Sequence, residues 1–245
     1  MISQDDRQRL ARRYNLRKNW LYRLLQPPLP LVHNRRESAL PAADGVGLWI
    51  GGAGQRVPAE FVNLDLMDLP GVDIVASVEA LPFASESISR IECDAVLEHV
   101  RNPDIGVKEM LRVLKPGGHL HVVVPFCHPL HLYPADYRRW TFDGLQDLLA
   151  EFEVVEVGIR TGPTATLLTT LLEYVKVVAP RPLRKPAYAA AGWLLWPLRY
   201  LDLYLNRKPE AEVLANSIYA LARKPSVSNR HRPASSAQHR AAVDV

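Results

Sequence analysis

The sequence of 245 residues predicts an α/β fold, a doubly wound and mostly parallel sheet, on three observations. The apolar runs 46–50 and 61–64 flank a small-residue turn, Gly51-Gly52-Ala53-Gly54, and the second run ends on the carboxylate of Asp65. Further short apolar runs at 73–76, 88–93 and 119–125 continue the series. Between the last two, Ile105, Val107, Lys108, Leu111 and Leu114 have helical spacing. Strands alternating with helical stretches form parallel sheets whose ligands meet the carboxyl ends of the strands.

In chain order, 3–25 predicts a helix with Ser3 as N-cap and Asp5 and Asp6 in its first turn. Leu10, Tyr14, Leu21, Leu24 and Leu25 supply an apolar stripe beside a strongly basic face. It reads either as a cover helix with a solvated face or as a membrane-surface helix. Pro27, Pro28, Pro30 and Pro41 make the stretch up to 45 an extended linker. After the helix over 104–114, Lys115-Pro116-Gly117-Gly118 reads as its stop, and 119–125 as the fifth strand. Thr141 is the expected N-cap of a helix over 142–150, and 154–159 the sixth strand. A last strand is expected at 216–223, before a disordered tail over 225–245.

Small residues after a strand let a ligand approach the backbone, and an acid ending the next strand can accept both ribose hydroxyls. A dinucleotide needs more: a full Gly-x-Gly-x-x-Gly turn, a helix aimed at the pyrophosphate, and an acid about 20 residues on. Here 55–60 contains Pro58, and Asp65 arrives early. A cofactor with ribose but no phosphate fits better, and S-adenosylmethionine is the expected one.

The motifs Leu81-Pro82-Phe83, Val96-Leu97-Glu98-His99-Val100 and the run 109–118, Glu-Met-Leu-Arg-Val-Leu-Lys-Pro-Gly-Gly, resemble those of the class I S-adenosylmethionine-dependent methyltransferases, in their small-molecule and lipid-type group. The resemblance covers about residues 46–160, and implies a seven-stranded Rossmann-like sheet over 46–224 with a helical insertion, about 164–212, before the last strand. It implies that Gly51, Gly52 and Gly54 lie against the methionine part of the cofactor and that Asp65 binds its ribose. Leu66 is then expected on one adenine face, Val78 and Glu79 near the adenine edge, and Cys93 and Asp94 beside the methionine moiety. Three positions depart from the family pattern: Trp49 where an acid commonly enters the turn, Ala53 for a glycine, and Ser77 for an aspartate. They motivate a rival reading, a methyltransferase-like scaffold without turnover.

Residues 125–142 crowd polar aromatic side chains into a loop after the fifth strand, a placement suited to an acceptor site. The resemblance relates this run to methyltransferases of glycan or lipid-linked saccharide pathways. Methyl transfer from a sulfonium is an in-line displacement, so the protein aligns the reactants and, for an oxygen or nitrogen acceptor, takes a proton. His128 or His131 is the candidate base, with Asp136 orienting a histidine. Tyr137, Arg138, Arg139 and Trp140 are candidate acceptor-binding residues, Arg138 or Arg139 for an anionic group. For each of them singly, the competing reading is an ordinary ion pair or core residue. No metal site is expected.

The insertion divides into an apolar helix-like stretch over 164–178, a basic break over 181–186, and an aromatic-rich run over 187–206. The run reads as a lid, a membrane-interface segment, or both, being too short to span a bilayer. Cys93 and Cys127 form no CxxC pair, and no secretory h-region is visible, so a cytoplasmic protein is expected, peripheral on the inner membrane face if 1–25 and 187–206 touch lipid. Residues 1–36 carry +7 and 223–245 carry +4, leaving −7 between them within the total of +4. An acidic body argues against a nucleic-acid groove.

Overall fold

A computed structural model describes residues 26–34, 40–41, 44–52, 57–132 and 135–226. The expected helix over 3–25, Ala53 and Gly54 of the glycine turn, and the tail from 227 lie outside the described residues. Seven strands, β1 (Gly47–Ile50), β2 (Phe61–Asp65), β3 (Ile74–Val75), β4 (Ile88–Asp94), β5 (Leu114–Pro125), β6 (Glu153–Thr161) and β7 (Ser217–Arg223), form one sheet. Its order is β3-β2-β1-β4-β5-β7-β6. The pairs β1–β2, β1–β4, β2–β3 and β4–β5 are parallel.

β7 runs the other way. Gly117 N–H donates to Lys224 O, and Phe126 N–H donates to Asn216 O, so opposite ends of β5 and β7 meet. Likewise Asn216 N–H reaches Thr161 O at the end of β6, while Arg223 bonds Glu153 at its start. The reversal places the last-made strand between β5 and β6.

Alternation along the strands separates two faces. Ile91, Cys93, Leu120 and Val122 are fully buried on one. On the other, Glu92 pairs in register with His121, their side chains 2.7 Å apart. Helix α1 (Pro103–Val113), between β4 and β5, buries Val107, Met110 and Val113. Each such side chain contributes about 1.5–3 kcal/mol on leaving water. Helix α2 (Phe142–Leu148) begins as predicted, with Thr141 Oγ1 accepting from Gly144 N–H at 3.1 Å.

The family motifs turn out to be structural clasps. Arg112 donates to Glu109 through Nε at 2.7 Å, and to the carbonyls of Phe83 and Leu81 through Nη1 and Nη2. Glu109 in turn accepts from Leu81 N–H at 2.9 Å. The arginine's hydrogen bonds, then that amide, hold the Glu109 carboxyl below its usual range. One turn of α1 thereby grips the Leu81-Pro82-Phe83 segment ahead of β4.

Three stretches differ in detail from the sequence reading. Lys115-Pro116-Gly117-Gly118 is not a free helix stop: the helix ends at Val113, and β5 starts at Leu114 because Gly117 and Gly118 bond Lys224. Gly117 takes φ +77°, so the strand bends there. The basic break is shorter than 181–186, since Arg181–Leu183 is a 3-10 turn and α4 (Arg184–Leu195) begins at once. Pro186 falls in its first turn, where a missing N–H costs nothing. Helix α3 (Pro163–Val178) precedes this turn. The run 187–206 is not one helix: Pro197 forces a 3-10 segment, Trp196–Leu201, before the short α5 (Asp202–Leu205).

The chain divides into two units. The sheet unit comprises Ser38–Pro125, Tyr137–Gly158 and Ile218–Val245, and the helical unit Met1–Glu37, Phe126–Asp136 and Ile159–Ser217. Within the helical unit, buried Asp202 accepts from Thr164 N–H at 2.8 Å and Ala165 N–H at 3.0 Å. It caps α3, whose own N-cap is Gly162, a residue with no side chain to do so. Among the described residues no helix is long and apolar enough to cross a membrane.

Candidate functional site

In the sheet unit, register aligns the predicted cofactor residues. Ile50 pairs with both Leu64 and Cys93, so the next residues, Gly51, Asp65 and Asp94, follow in one row along the carboxyl edge. Gly51 has φ +78°, and a Cβ there would lie 2.2 Å from Val96 Cγ2. At Gly52 a Cβ would lie 2.1 Å from Asn63 Oδ1. Asn63 is itself fixed, donating from its side chain to Gly71 O and from its backbone to Asp73 Oδ2. Glycine is therefore required at both positions by the packing beneath the turn.

Asp65 is nearly buried, and its Oδ1 accepts from Met67 N–H at 2.9 Å. This bond fixes the carboxylate at the strand end and leaves Leu66 exposed beside it. Ser77 Oγ accepts from Glu79 N–H, and Glu79 Oε1 accepts from the Asn102 backbone and side-chain N–H groups. Val78 is buried against Gly106 of α1, so its side chain faces the core. Cys93 is fully buried, and burial, with Glu98, Glu92 and Asp94 adding to it, pushes its thiol well above the ordinary value. The thiol stays protonated.

Ala95 follows Asp94 at φ +54°, a left-handed conformation that costs a non-glycine residue about 1–2 kcal/mol. Sequence reasoning missed this turn, because nothing in an alanine announces it. It sets Val96 over Gly51 and starts the 3-10 turn Leu97–His99, whose Glu98 is fully buried.

The second half of the predicted acceptor loop also belongs to the sheet unit. Trp140 is buried, with its N–H on Pro125 O, and serves the core. Arg138 Nη1 donates to Arg101 O at 2.8 Å and Val100 O at 3.3 Å, a tether between two loops. Tyr137 is exposed, with Arg101 over its ring, and Arg139 is half-buried, its Nη1 donating to Arg138 O at 2.7 Å.

The first half of the loop belongs to the helical unit, which brings the two histidines together with their rings 4.8 Å apart, edge to face. Asp136, almost wholly buried, accepts from His131 N–H at 2.8 Å and lies 3.3 Å from His131 Nδ1. The pairing of Asp136 with a histidine is as the sequence suggested. His128 has a partner the sequence did not reveal, Asn216 Oδ1 at 2.9 Å, 88 residues away. Asn216 is buried, and its Nδ2 donates to Thr169 Oγ1, whose own hydroxyl donates to Ala165 O. That chain leaves Oδ1 as the acceptor facing His128. Nδ1 then carries the proton, and Nε2 is the basic nitrogen.

Residues 53–122 match the methyltransferase domain family. That match runs from β2 into β5 of a sheet whose seventh strand is reversed between the fifth and sixth. Over this stretch the chain is similar to S-adenosylmethionine-dependent methyltransferases.

A demethylmenaquinone methyltransferase of Renibacterium salmoninarum is 44% identical over 61 residues, 24% of this chain and 25% of that protein. The ubiquinone/menaquinone biosynthesis C-methyltransferase UbiE of Shewanella pealeana is 43% identical over 108 residues, 41% of this chain and 43% of that one. The chain thus spans a quarter to under half the length of these curated relatives. Among solved structures, the [4+2]-cyclase SpnF has a TM-score of 0.48 at 18% identity, over 74% of this chain and 76% of that one. Haemonchus contortus phosphoethanolamine N-methyltransferase 2, in complex with S-adenosyl-L-methionine, gives 0.47 at 17%, over 76% and 50%.

Proposed function

We propose that this methyltransferase moves a methyl group from S-adenosylmethionine to a small-molecule acceptor. The observation that carries the reading is the row Gly51, Asp65 and Asp94 on the carboxyl edge, where close packing excludes side chains from the turn and a fixed carboxylate ends β2. Asp65 is assigned to the ribose hydroxyls, Gly51, Gly52 and Gly54 to the methionine side with Asp94, and exposed Leu66 to the adenine face. Val78 and Cys93, with buried side chains, are assigned backbone contacts or shape only, and Glu79 the adenine edge. When bound, the cofactor supplies an electrophilic methyl on a sulfonium.

His128 is the proposed proton acceptor, because Asn216 fixes the tautomer that leaves Nε2 basic. His131, oriented by Asp136, is the second candidate. Tyr137 and Arg139 are the proposed acceptor-binding residues, Arg139 suiting an anionic group. Arg138 and Trp140 hold the loop in shape.

For the acceptor we propose a glycan or lipid-linked saccharide, with the enzyme peripheral on a membrane. A quinone ring is the second reading, favoured by the names of the matched relatives, and would make the reaction a C-methylation.

Calorimetric titration with S-adenosylmethionine and S-adenosylhomocysteine tests the site. Binding is expected at micromolar concentrations, and should be lost in Asp65→Ala. Asp65→Asn keeps an acceptor for Met67 N–H but removes the charge, so its weakened binding with unchanged melting separates cofactor recognition from folding. A folded protein that binds neither ligand would leave the scaffold reading standing.

A further inference from the structure

The helical unit presents two helices whose outer faces suit no aqueous surface. On α3 the exposed residues are Leu167, Thr170, Leu171, Tyr174, Val177 and Val178, a stripe at helical spacing with one hydroxyl as its sole aliphatic polar group. Val177 is 74% exposed. The opposite face, Ala165, Leu168 and Leu172, is buried in the unit, and the Glu173–Lys176 pair is the only charge on the helix. An exposed apolar stripe of this kind suits an apolar surface better than water. From Pro186 to Tyr204, across α4 and the 3-10 segment, each exposed residue is likewise apolar or aromatic. Leu194 is 78% exposed and Trp193 45%.

The exposed charges around these faces are mostly cations, with Glu210 and Glu212 exposed only after Lys208. Arg181, Arg184 and Lys185 are exposed in the link between α3 and α4, and Arg207 and Lys208 beyond α5. Over 163–208 the acidic residues are two: Glu173, its side chain 46% exposed and paired with Lys176 at 2.5 Å, and Asp202, buried on the N-terminus of α3. Cations also lie over rings, Arg199 at 5.0 Å from the Trp196 centroid and Lys208 at 5.2 Å from that of Tyr204. Apolar stripes bordered by aromatic rings and cations match the boundary between acyl chains and anionic headgroups.

We propose that α3, α4 and the basic link between them form a monotopic docking face for an anionic lipid bilayer. The charge pattern selects this occupant. A second copy joined symmetrically would bring mainly cations to these cations, and the segment 1–25, basic apart from Asp5 and Asp6, would do the same. An anionic bilayer supplies both an apolar layer and a negative surface. The face extends the expected contact at 187–206 to α3 and Arg181. It is independent of methyl transfer, since binding is read without cofactor.

The test is flotation of the full chain with phosphatidylcholine vesicles, with and without phosphatidylglycerol. Wild type should bind the anionic vesicles and bind the neutral ones weakly. Leu167→Glu combined with Leu194→Glu should lose both, with an unchanged melting temperature because the two residues are 63% and 78% exposed. Arg181→Ala, Arg184→Ala and Lys185→Ala together should lose the anionic preference, on the order of 100-fold in partitioning for three cations. All variants keep 1–25, so binding that neither set alters would assign attachment to that segment and overturn the proposal. Absence of vesicle binding would overturn it too. So would a lipid-free dimer, seen by light scattering and abolished by the two glutamates, which would give the face to a second copy.

Discussion

α1 and α3 are both helices with a buried apolar face, yet their outer faces differ. α1 turns Asp104, Lys108 and Ile105 outward and half-buries Glu109 and Arg112, which work as a clasp. α3 turns Leu167, Leu171, Tyr174 and Val178 outward. The inner faces answer to folding, and both are satisfied. The outer faces answer to surroundings: that of α1 is largely charged, and that of α3 is largely apolar apart from the Glu173–Lys176 pair.

The comparison can be broken from the inside outward. Met110 of α1 and Leu168 of α3 are almost wholly buried, so Met110→Ala and Leu168→Ala should each cost about 3 kcal/mol. Urea unfolding would show it, and a cost under about 1 kcal/mol at Leu168 would mean that α3 is loosely held inside as well. A middle-sized effect belongs to the clasp. Glu109→Gln should cost roughly 1–2 kcal/mol near neutrality, as a charge-assisted bond becomes a neutral one. Because Arg112 lowers the Glu109 pKa, its contribution is full above the ordinary value of 4.5 and fades as pH falls toward the folded value. The gap between wild type and Glu109→Gln should therefore narrow on acidification, and a constant gap would deny the carboxylate its role. The smallest effect is expected outside. Leu167→Glu alone should shift stability by no more than about 0.5 kcal/mol while weakening vesicle binding, because Leu167 is 63% exposed.

The difference between the faces also marks what the sequence could disclose. Strands β1, β2, β4 and β7 were legible because each is a short apolar run ended by a turn or a charge, and α1 because its apolar positions repeat at helical spacing. Asp65 was legible for a local reason: it ends the strand after the glycine turn. Lys115–Gly118 was misread because its strand partner, Lys224, lies more than 100 residues on. Asn216 escaped for the same reason, since the bond that fixes His128 spans two chain regions with no shared pattern. Arg112 and Glu109 were recognised as a family signature, yet only the structure shows that they hold a turn rather than a ligand.

The reversed strand has a consequence for the order of synthesis. β6 stands at the sheet edge beside β7, and the α3–α5 stretch intervenes between them in the chain. On the ribosome β6 therefore waits for about 55 further residues, roughly 3–11 s at ordinary elongation rates, before its neighbour exists. During that interval the apolar helices emerge while the sheet is one strand short. The nascent chain is thus most exposed to wrong partners just before β7 is made.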